Sequence, residues 1–160
     1  MKERAELKLI VCLGKDGLIG DANPQGNGLL WHCQEELKHY RETTRGHITL
    51  FGKKTASVVP VEIMRKTREV VILEKNTDID KILIDNKDTG KIVFVCGGLT
   101  IYKYFLENHH MDELLISKLK PSVKIEHANT PLYFPNVEEY GYKLVEVEEH
   151  EEFVVEKYKK

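Results

Sequence analysis

The chain of 160 residues has the length of one domain, residues 1–160, with room for a substantial hydrophobic core. Hydrophobic residues make up 41% and charged residues 31% of it, which is ordinary for a soluble globular protein, and a net charge of -2 does not favour a nucleic acid partner. No apolar run has the length of a membrane span, and the N-terminus has no signal-peptide pattern, so we expect a cytoplasmic protein with no membrane partner.

The cysteine and histidine positions predict neither disulfide bonds nor a metal site. Cys12, Cys33 and Cys96 have no metal-ligand spacing, and free thiols are typical of a reducing compartment. The seven histidines show no ligand spacing either, so we assign no metal ion from the sequence.

Predicted strands alternate with predicted helices as far as residue 119. Apolar runs predict strands at 7–13, 48–51, 70–73, 91–96 and 113–119, and helical spacing predicts helices at 34–45, 53–59, 78–84 and 99–106. A proline-bounded loop is predicted at 131–135, followed by an antiparallel hairpin of strands 142–147 and 153–158. This order predicts an α/β fold with a mostly parallel central β-sheet, an antiparallel C-terminal hairpin and flanking helices.

The first predicted helix begins with two adjacent carboxylates, Glu35 and Glu36, which suit the positive end of a helix dipole. Leu37 and Tyr40 recur at helical spacing, and Glu36 borders the apolar face that they form. A carboxylate held among apolar groups has a raised pKa and becomes a proton partner near neutral pH. Spacing alone favours two surface residues instead, and the rest of the chain reverses that interpretation.

A polar loop from Asp21 to Gly28 precedes this helix and contains proline and glycine residues. It is long and flexible enough to act as a lid, and a surface loop without a function is the alternative. The only tryptophan, Trp31, follows the loop directly.

Two strand-to-helix junctions have the character of anion sites. Residues 52–55 (Gly-Lys-Lys-Thr) follow a short strand, and Gly97-Gly98 follow the most apolar strand of the chain. Glycines let the backbone approach a ligand closely, and free N–H groups at a helix start favour phosphate, although either junction could be an ordinary turn. Neither is a G-x-G-x-x-G fingerprint, so the ordinary dinucleotide-binding fold is not indicated.

Five short pieces, in order and in spacing, resemble dihydrofolate reductase across nearly the whole chain. They are the strand Leu9 to Leu13 with Asp16-Gly-Leu-Ile-Gly20, Trp31 with an acid five residues on, Phe51-Gly-Lys-Lys-Thr55, Val95-Cys-Gly-Gly98 with Ile101-Tyr102, and Phe134-Pro135 before the final hairpin. The resemblance implies a dihydrofolate reductase-like fold and the reduction of 7,8-dihydrofolate to 5,6,7,8-tetrahydrofolate by hydride transfer from NADPH. It implies a monomer whose partner is this small-molecule substrate.

The resemblance also implies roles on the substrate side. Glu36 matches the acid that hydrogen-bonds the pteridine ring and promotes protonation at N5, and Trp31 matches the tryptophan that closes the lid. Ser117 stands where the family has a threonine, and its hydroxyl is expected to hydrogen-bond the acid. Arg68 is the candidate for the glutamate tail of folate, with Arg65 second, because a bidentate arginine suits a carboxylate. The remaining pocket residues implied are Val11, Cys12, Leu37, Tyr40 and Val59.

For NADPH, the resemblance implies contacts along both glycine junctions and at the first turn of the chain. The residues are Ile19, Gly20, Gly52, Lys53, Lys54, Thr55, Cys96, Gly97, Gly98, Leu99, Thr100, Ile101 and Tyr102. The family's diglycine is often joined by a cis peptide. Lys53 and Lys54 stand where a basic residue meets the 2'-phosphate, which favours NADPH over NADH, whereas Glu74 weakens that preference and Lys75 offsets it.

Two departures from the family pattern keep other functions open. Leu30-Trp31 replaces the family's Pro-Trp pair, and the segment that carries the arginine is poorly kept. One alternative is a pterin or pyrimidine reductase of the same fold, such as the reductase of riboflavin synthesis, which is not expected to carry an acid at Glu36. The other is a catalytically weak folate- or nucleotide-binding protein.

Overall fold

The computed structural model describes residues 3–23 and 29–160. Its strands are β1 Leu7–Leu13, β2 Leu18–Asp21, β3 Ile48–Phe51, β4 Glu69–Ile72, β5 Val93–Val95, β6 Glu113–Leu119, β7 Pro131–Tyr133, β8 Lys143–Glu149 and β9 Phe153–Lys159. Its helices are α1 Gln34–Thr44, α2 Lys53–Ala56, α3 Val61–Met64, α4 Ile79–Asp85 and α5 Leu99–Asn108. The predicted lid, Asp21 to Gly28, includes residues 24–28, which lie outside the described residues.

Within the described residues, seven strands form one sheet in the order β4-β3-β5-β1-β6-β9-β8. The strands from β4 to β6 are parallel to their neighbours, and β9 and β8 continue the sheet as an antiparallel hairpin. The predicted fold class is therefore confirmed. The parallel strands are mostly apolar because helices cover both faces of the sheet.

The two faces of the sheet have separate cores, and the alternation of β1 shows which residue faces which helix. Leu9 packs in the larger core with Phe105 of α5, whereas Ile10 packs in the other core, which Tyr40 of α1 covers. Side chains two residues apart on a strand share a face. Cys12 therefore lies on the α1 side, at the end of β1 where α1 begins.

The segment 131–135 was predicted as a loop, and this prediction is wrong for its first half. Pro131–Tyr133 form β7, which pairs antiparallel with β2 in a small separate sheet. Proline is tolerated there because it begins an edge strand. β2 itself has four residues and contains Gly20, so it lacks the alternation that predicts a strand.

Other boundaries differ by a few residues. β5 is limited to Val93–Val95 instead of 91–96, and the strands of the hairpin extend one or two residues further than predicted, to Glu149 and Lys159. Across the described part of the chain, no helix combines the length and the apolar character that a membrane crossing requires.

Candidate active site

A buried carboxyl group lies where α1 meets the sheet. Glu36, in the first turn of α1, is only 6% exposed. Cys12 of β1 and Ser117 of β6 are register neighbours in the sheet and lie beside it. Burial raises the pKa of Glu36 from 4.5 to about 7, and the Ser117 and Cys12 side chains act more weakly in the opposite direction. The carboxyl group is therefore available in both protonation states near neutral pH.

The Ser117 hydroxyl is buried beside Glu36. The residue is 1% exposed, and its Oγ makes no hydrogen bond to any described residue. Its position beside Glu36 lowers the pKa of that carboxyl, so the two side chains are neighbours, as the resemblance implies. A buried polar atom left without a partner costs roughly 1–3 kcal/mol. A bound group with a polar edge would remove that cost.

Arg68 directly precedes β4, and its guanidinium lies over the ring of Tyr40, which is one helical turn beyond Glu36 on α1. The side chain is 9% exposed, and its Cζ is 5.8 Å from the centroid of the Tyr40 ring. Nη2 donates to Thr67 Oγ1 at 3.2 Å, whereas Nε has no partner and no acidic side chain in 3–23 or 29–160 pairs with the guanidinium. Arg65 is exposed and lies 3.4 Å from Glu62. Of these two arginines, Arg68 is the buried one, and it has no carboxylate partner among the described residues.

Trp31 forms a wall beside the acid. It is 8% exposed, packs with Cys33 and Val123, and pairs with Ile125 through an isolated bridge. Its indole also lies beside the Cys12 thiol, which connects this wall to Glu36. Val123 and Ile125 were not predicted from the sequence, although two β-branched residues at alternate positions are a weak strand signal.

The two glycine junctions lie side by side, because they end the adjacent parallel strands β3 and β5. The Gly52 N–H donates to the Gly97 carbonyl at 2.8 Å. A Cβ on Gly52 would lie 2.8 Å from Ile101 Cγ1, and a Cβ on Gly98 would lie 2.7 Å from Thr55 Oγ1. Since real Cβ atoms do not approach so closely, only glycine fits at both positions.

The peptide between Gly97 and Gly98 is cis, as the resemblance implies. Tyr102 of α5 lies beneath it, and its hydroxyl donates to the Ile10 carbonyl of β1 at 2.8 Å. The Tyr102 ring packs edge-on against Phe134, with ring centroids 5.5 Å apart. Burial raises the pKa of Tyr102 well above its ordinary value, so the hydroxyl stays protonated.

The lysines at the start of α2 are exposed and have partners. Lys53 Nζ lies 3.7 Å from the Glu74 carboxylate, and Lys54 Nζ donates to the Ala22 carbonyl at 2.6 Å. Glu74 therefore reduces the positive potential at the same place where Lys53 would meet a phosphate.

The family model described as dihydrofolate reductase matches residues 6–159. The chain belongs to the dihydrofolate reductase family. The dihydrofolate reductase of Mycoplasma genitalium is 29% identical over 168 residues, which cover 94% of this chain and 96% of that protein. The enzyme of Ureaplasma parvum is 27% identical over 164 residues, covering 95% and 96%.

A solved structure has the same fold. It is the dihydrofolate reductase of Enterococcus faecalis complexed with NADP(H) and RAB-propyl, with a TM-score of 0.70 and 18% sequence identity over 98% of both chains. The dihydrofolate reductase fold of this chain thus extends from its first strand to its last.

In this member of the dihydrofolate reductase family, the residues named from the sequence fall into two groups. Those gathered along the α1 face are Cys12, Trp31, Glu36, Tyr40, Arg68 and Ser117. Those gathered at the ends of β3 and β5 are Gly52, Thr55, Gly97, Gly98, Ile101 and Tyr102. The Val11 side chain lies in the core on the other face of the sheet, and Val59 packs behind α2 with Phe51 and Met64.

Proposed function

We propose that this protein is a dihydrofolate reductase that reduces 7,8-dihydrofolate to 5,6,7,8-tetrahydrofolate with NADPH. The observation that carries the proposal is the buried Glu36 carboxyl, with a pKa of about 7, beside an unpaired Ser117 hydroxyl. The Glu36 carboxyl can exchange a proton near neutral pH, and the Ser117 hydroxyl can hydrogen-bond a ligand. Together they suit a heterocycle with polar edges, such as a pteridine.

The substrate is held at two points along the α1 face. The pteridine ring binds against Glu36 and Ser117, and the glutamate tail of folate binds to Arg68. The support for the second contact is a buried guanidinium that has no anion among the described residues. A charged group in that position is costly to leave unpaired, and a ligand carboxylate satisfies it with two parallel hydrogen bonds. The other residues that we assign to this pocket are Cys12, Leu37, Tyr40 and Val59, together with the backbone of Val11, whose side chain faces the other core.

Glu36 acts on the proton side of the reaction. Its carboxyl group hydrogen-bonds the pteridine ring and thereby promotes protonation at N5, with the proton itself arriving through water. Trp31 and the wall behind it limit the access of water on the other side of Cys12. When bound, NADPH supplies the hydride that the ring accepts.

NADPH fits the paired glycine junctions. The start of α5 offers backbone N–H groups at the positive end of a ten-residue helix, and the glycines leave room for a pyrophosphate to approach the backbone. Lys53 and Lys54 add positive charge for the 2'-phosphate. The other contacts that we assign to the cofactor are Ile19, Gly20, Gly52, Thr55, Cys96, Gly97, Gly98, Leu99, Thr100, Ile101 and Tyr102.

We further propose that residues 1–160 act as one domain, in a monomer in the cytoplasm, with small molecules as its ligands. The sequence features behind this proposal are a small net charge and the lack of long apolar runs.

The test of the function is the loss of NADPH absorbance when dihydrofolate is added to purified protein, with NADH in parallel. We expect Glu36→Gln to lower kcat at pH 7 by roughly 100-fold or more, because it removes the proton partner. NADPH affinity, measured by calorimetry, should stay unchanged. Glu42→Gln is the matched control, since it removes the same charge from an exposed position of α1.

Full turnover by the Glu36→Gln variant would show that another group serves as the acid. Absence of turnover in folded wild-type protein with either cofactor would instead favour the pyrimidine-reductase or binding-only alternatives.

A further inference from the structure

A cluster of metal-ligand side chains lies outside the active site, where the C-terminal hairpin meets α1. His39 of α1, Glu148 of β8 and His150 of the hairpin turn offer ligand atoms that all lie within 4.8 Å of one another. We propose that these three residues bind a divalent transition metal ion, with Zn²⁺ as the best fit. Two imidazoles and one carboxylate are a common zinc ligand set that leaves a fourth position for water.

The two imidazoles are partly preoriented. The His150 ring stacks on Phe153, with centroids 4.3 Å apart and planes at 2°, and the His39 ring lies 5.6 Å from the same phenyl ring. His150 Nε2 is 2.7 Å from Glu148 Oε1. His39 Nε2 is buried and makes no hydrogen bond to any residue in the described ranges, so this nitrogen can coordinate a metal ion without breaking a hydrogen bond. Small side-chain rotations would bring the three ligand atoms to a single ion.

The backbone around the cluster is fixed independently of any metal. Glu35 of α1 accepts hydrogen bonds from the backbone N–H of Glu152 at 2.9 Å and of Glu151 at 3.4 Å. The hairpin turn is thereby held against α1 at two points. An ion bound by His39 and His150 would add a third connection between the same two elements.

The Lys157 ammonium would compete with a metal ion for the Glu148 carboxylate. Lys157 Nζ lies 2.9 Å from Glu146 and 3.4 Å from Glu148. A metal ion would take Glu148 from Lys157 and leave that ammonium paired with Glu146. Removal of the lysine charge should therefore strengthen metal binding, whereas loss of an ordinary surface ion pair would have no such effect.

The cysteines do not offer an alternative site of comparable strength. Among the described residues, Cys12, Cys33 and Cys96 do not gather with other ligand side chains into a group of three.

The experiment is calorimetric titration of EDTA-treated, dialysed full-length protein with ZnCl₂. We expect one ion per chain. His39→Gln and His150→Gln should each lower the affinity by more than the roughly 10- to 100-fold that loss of an outer-shell partner costs. His110→Gln, an exposed histidine after α5, is the matched control and should bind like the wild type. Wild-type protein that binds no zinc, or histidine variants that bind it equally well, would overturn the proposal.

Thermal unfolding gives a second readout. Zinc should raise the Tm of the wild type and of His110→Gln but not that of His39→Gln or His150→Gln, because only an ion bound to the native state stabilises it. The Tm of each variant without zinc shows whether it folds. Lys157→Gln should bind zinc more tightly than the wild type, and weaker binding by this variant would contradict a site that includes Glu148.

Discussion

At the scale of single residues, Glu36 shows how burial gives a side chain its chemical role. Its carboxyl is almost fully buried, and burial raises its pKa to about 7. The native protein therefore binds this proton more tightly than the unfolded chain, whose value lies near 4.5. The stability that comes from the proton is present in full below pH 4.5 and is lost as the pH rises through 7.

Glu36→Gln should remove that pH dependence. We expect the variant to exceed the wild type in free energy of unfolding by on the order of 3 kcal/mol at pH 8, and to match it near pH 4.5. Urea unfolding at several pH values measures the difference. Glu42→Gln should follow the wild-type curve, since that carboxylate is exposed. Parallel curves for Glu36→Gln and the wild type would mean that Glu36 titrates normally.

Arg68 permits a second test, with Arg65 as its natural control. Arg68→Gln should raise KM for dihydrofolate by at least about 30-fold, because it leaves a buried ligand carboxylate unpaired. Arg65→Gln should change KM little, since Arg65 is exposed and pairs with Glu62. KM for NADPH is the internal reference in both variants. A similar rise in KM for dihydrofolate in both variants would mean that several basic side chains, and not Arg68 alone, bind the glutamate tail.

Helical spacing placed Glu36 at the border of an apolar face, because such spacing is local information, but its role as the acid came from the resemblance to dihydrofolate reductase. The resemblance, and not a local pattern, placed Ser117 beside Glu36, since Ser117 and Cys12 become neighbours only through the pairing of β1 with β6. The same limit hid the cluster of His39 with His150, which are far apart along the chain and have no shared spacing.

At the scale of elements, the candidate cofactor site depends on α2 and α5, which begin side by side at the ends of β3 and β5. Composition identified each junction alone, whereas their contact depends on sheet order. Strand periodicity predicted the long apolar strands well and failed for β2 and β7, which are short and include glycine or proline. These two strands are stabilised by pairing with each other, and neither has the alternating sequence pattern that predicts a strand.

The ion pair at the start of α2 predicts how the cofactor preference can be changed. Lys53→Gln should raise KM for NADPH by roughly 1.5- to 5-fold, a range typical of exposed charge pairs. Glu74→Gln should lower KM for NADPH, because the carboxylate lies 3.7 Å from Lys53 and opposes a phosphate. KM for NADH, which lacks the 2'-phosphate, should stay constant in both variants. Shifts of the same sign, or equal shifts with NADH, would place the 2'-phosphate elsewhere.

At the scale of the whole molecule, the alternation of strands and helices predicted the mostly parallel sheet with its antiparallel hairpin, and the resemblance of five short pieces implied the dihydrofolate reductase-like fold. Strand order was not accessible in the same way. Nothing in the periodicity of β1 shows that it lies between β5 and β6, or that β9 lies between β6 and β8.

That strand order has a consequence for biosynthesis. β6 is translated before β9, yet β9 is its neighbour on the side away from β1. Until residues 153–159 have left the ribosome, the nascent sheet ends at β6, a largely apolar strand of seven residues with one open edge. An open edge of this kind pairs readily with other chains. The growing polypeptide is therefore especially prone to pair with other chains in the interval before residues 153–159 emerge.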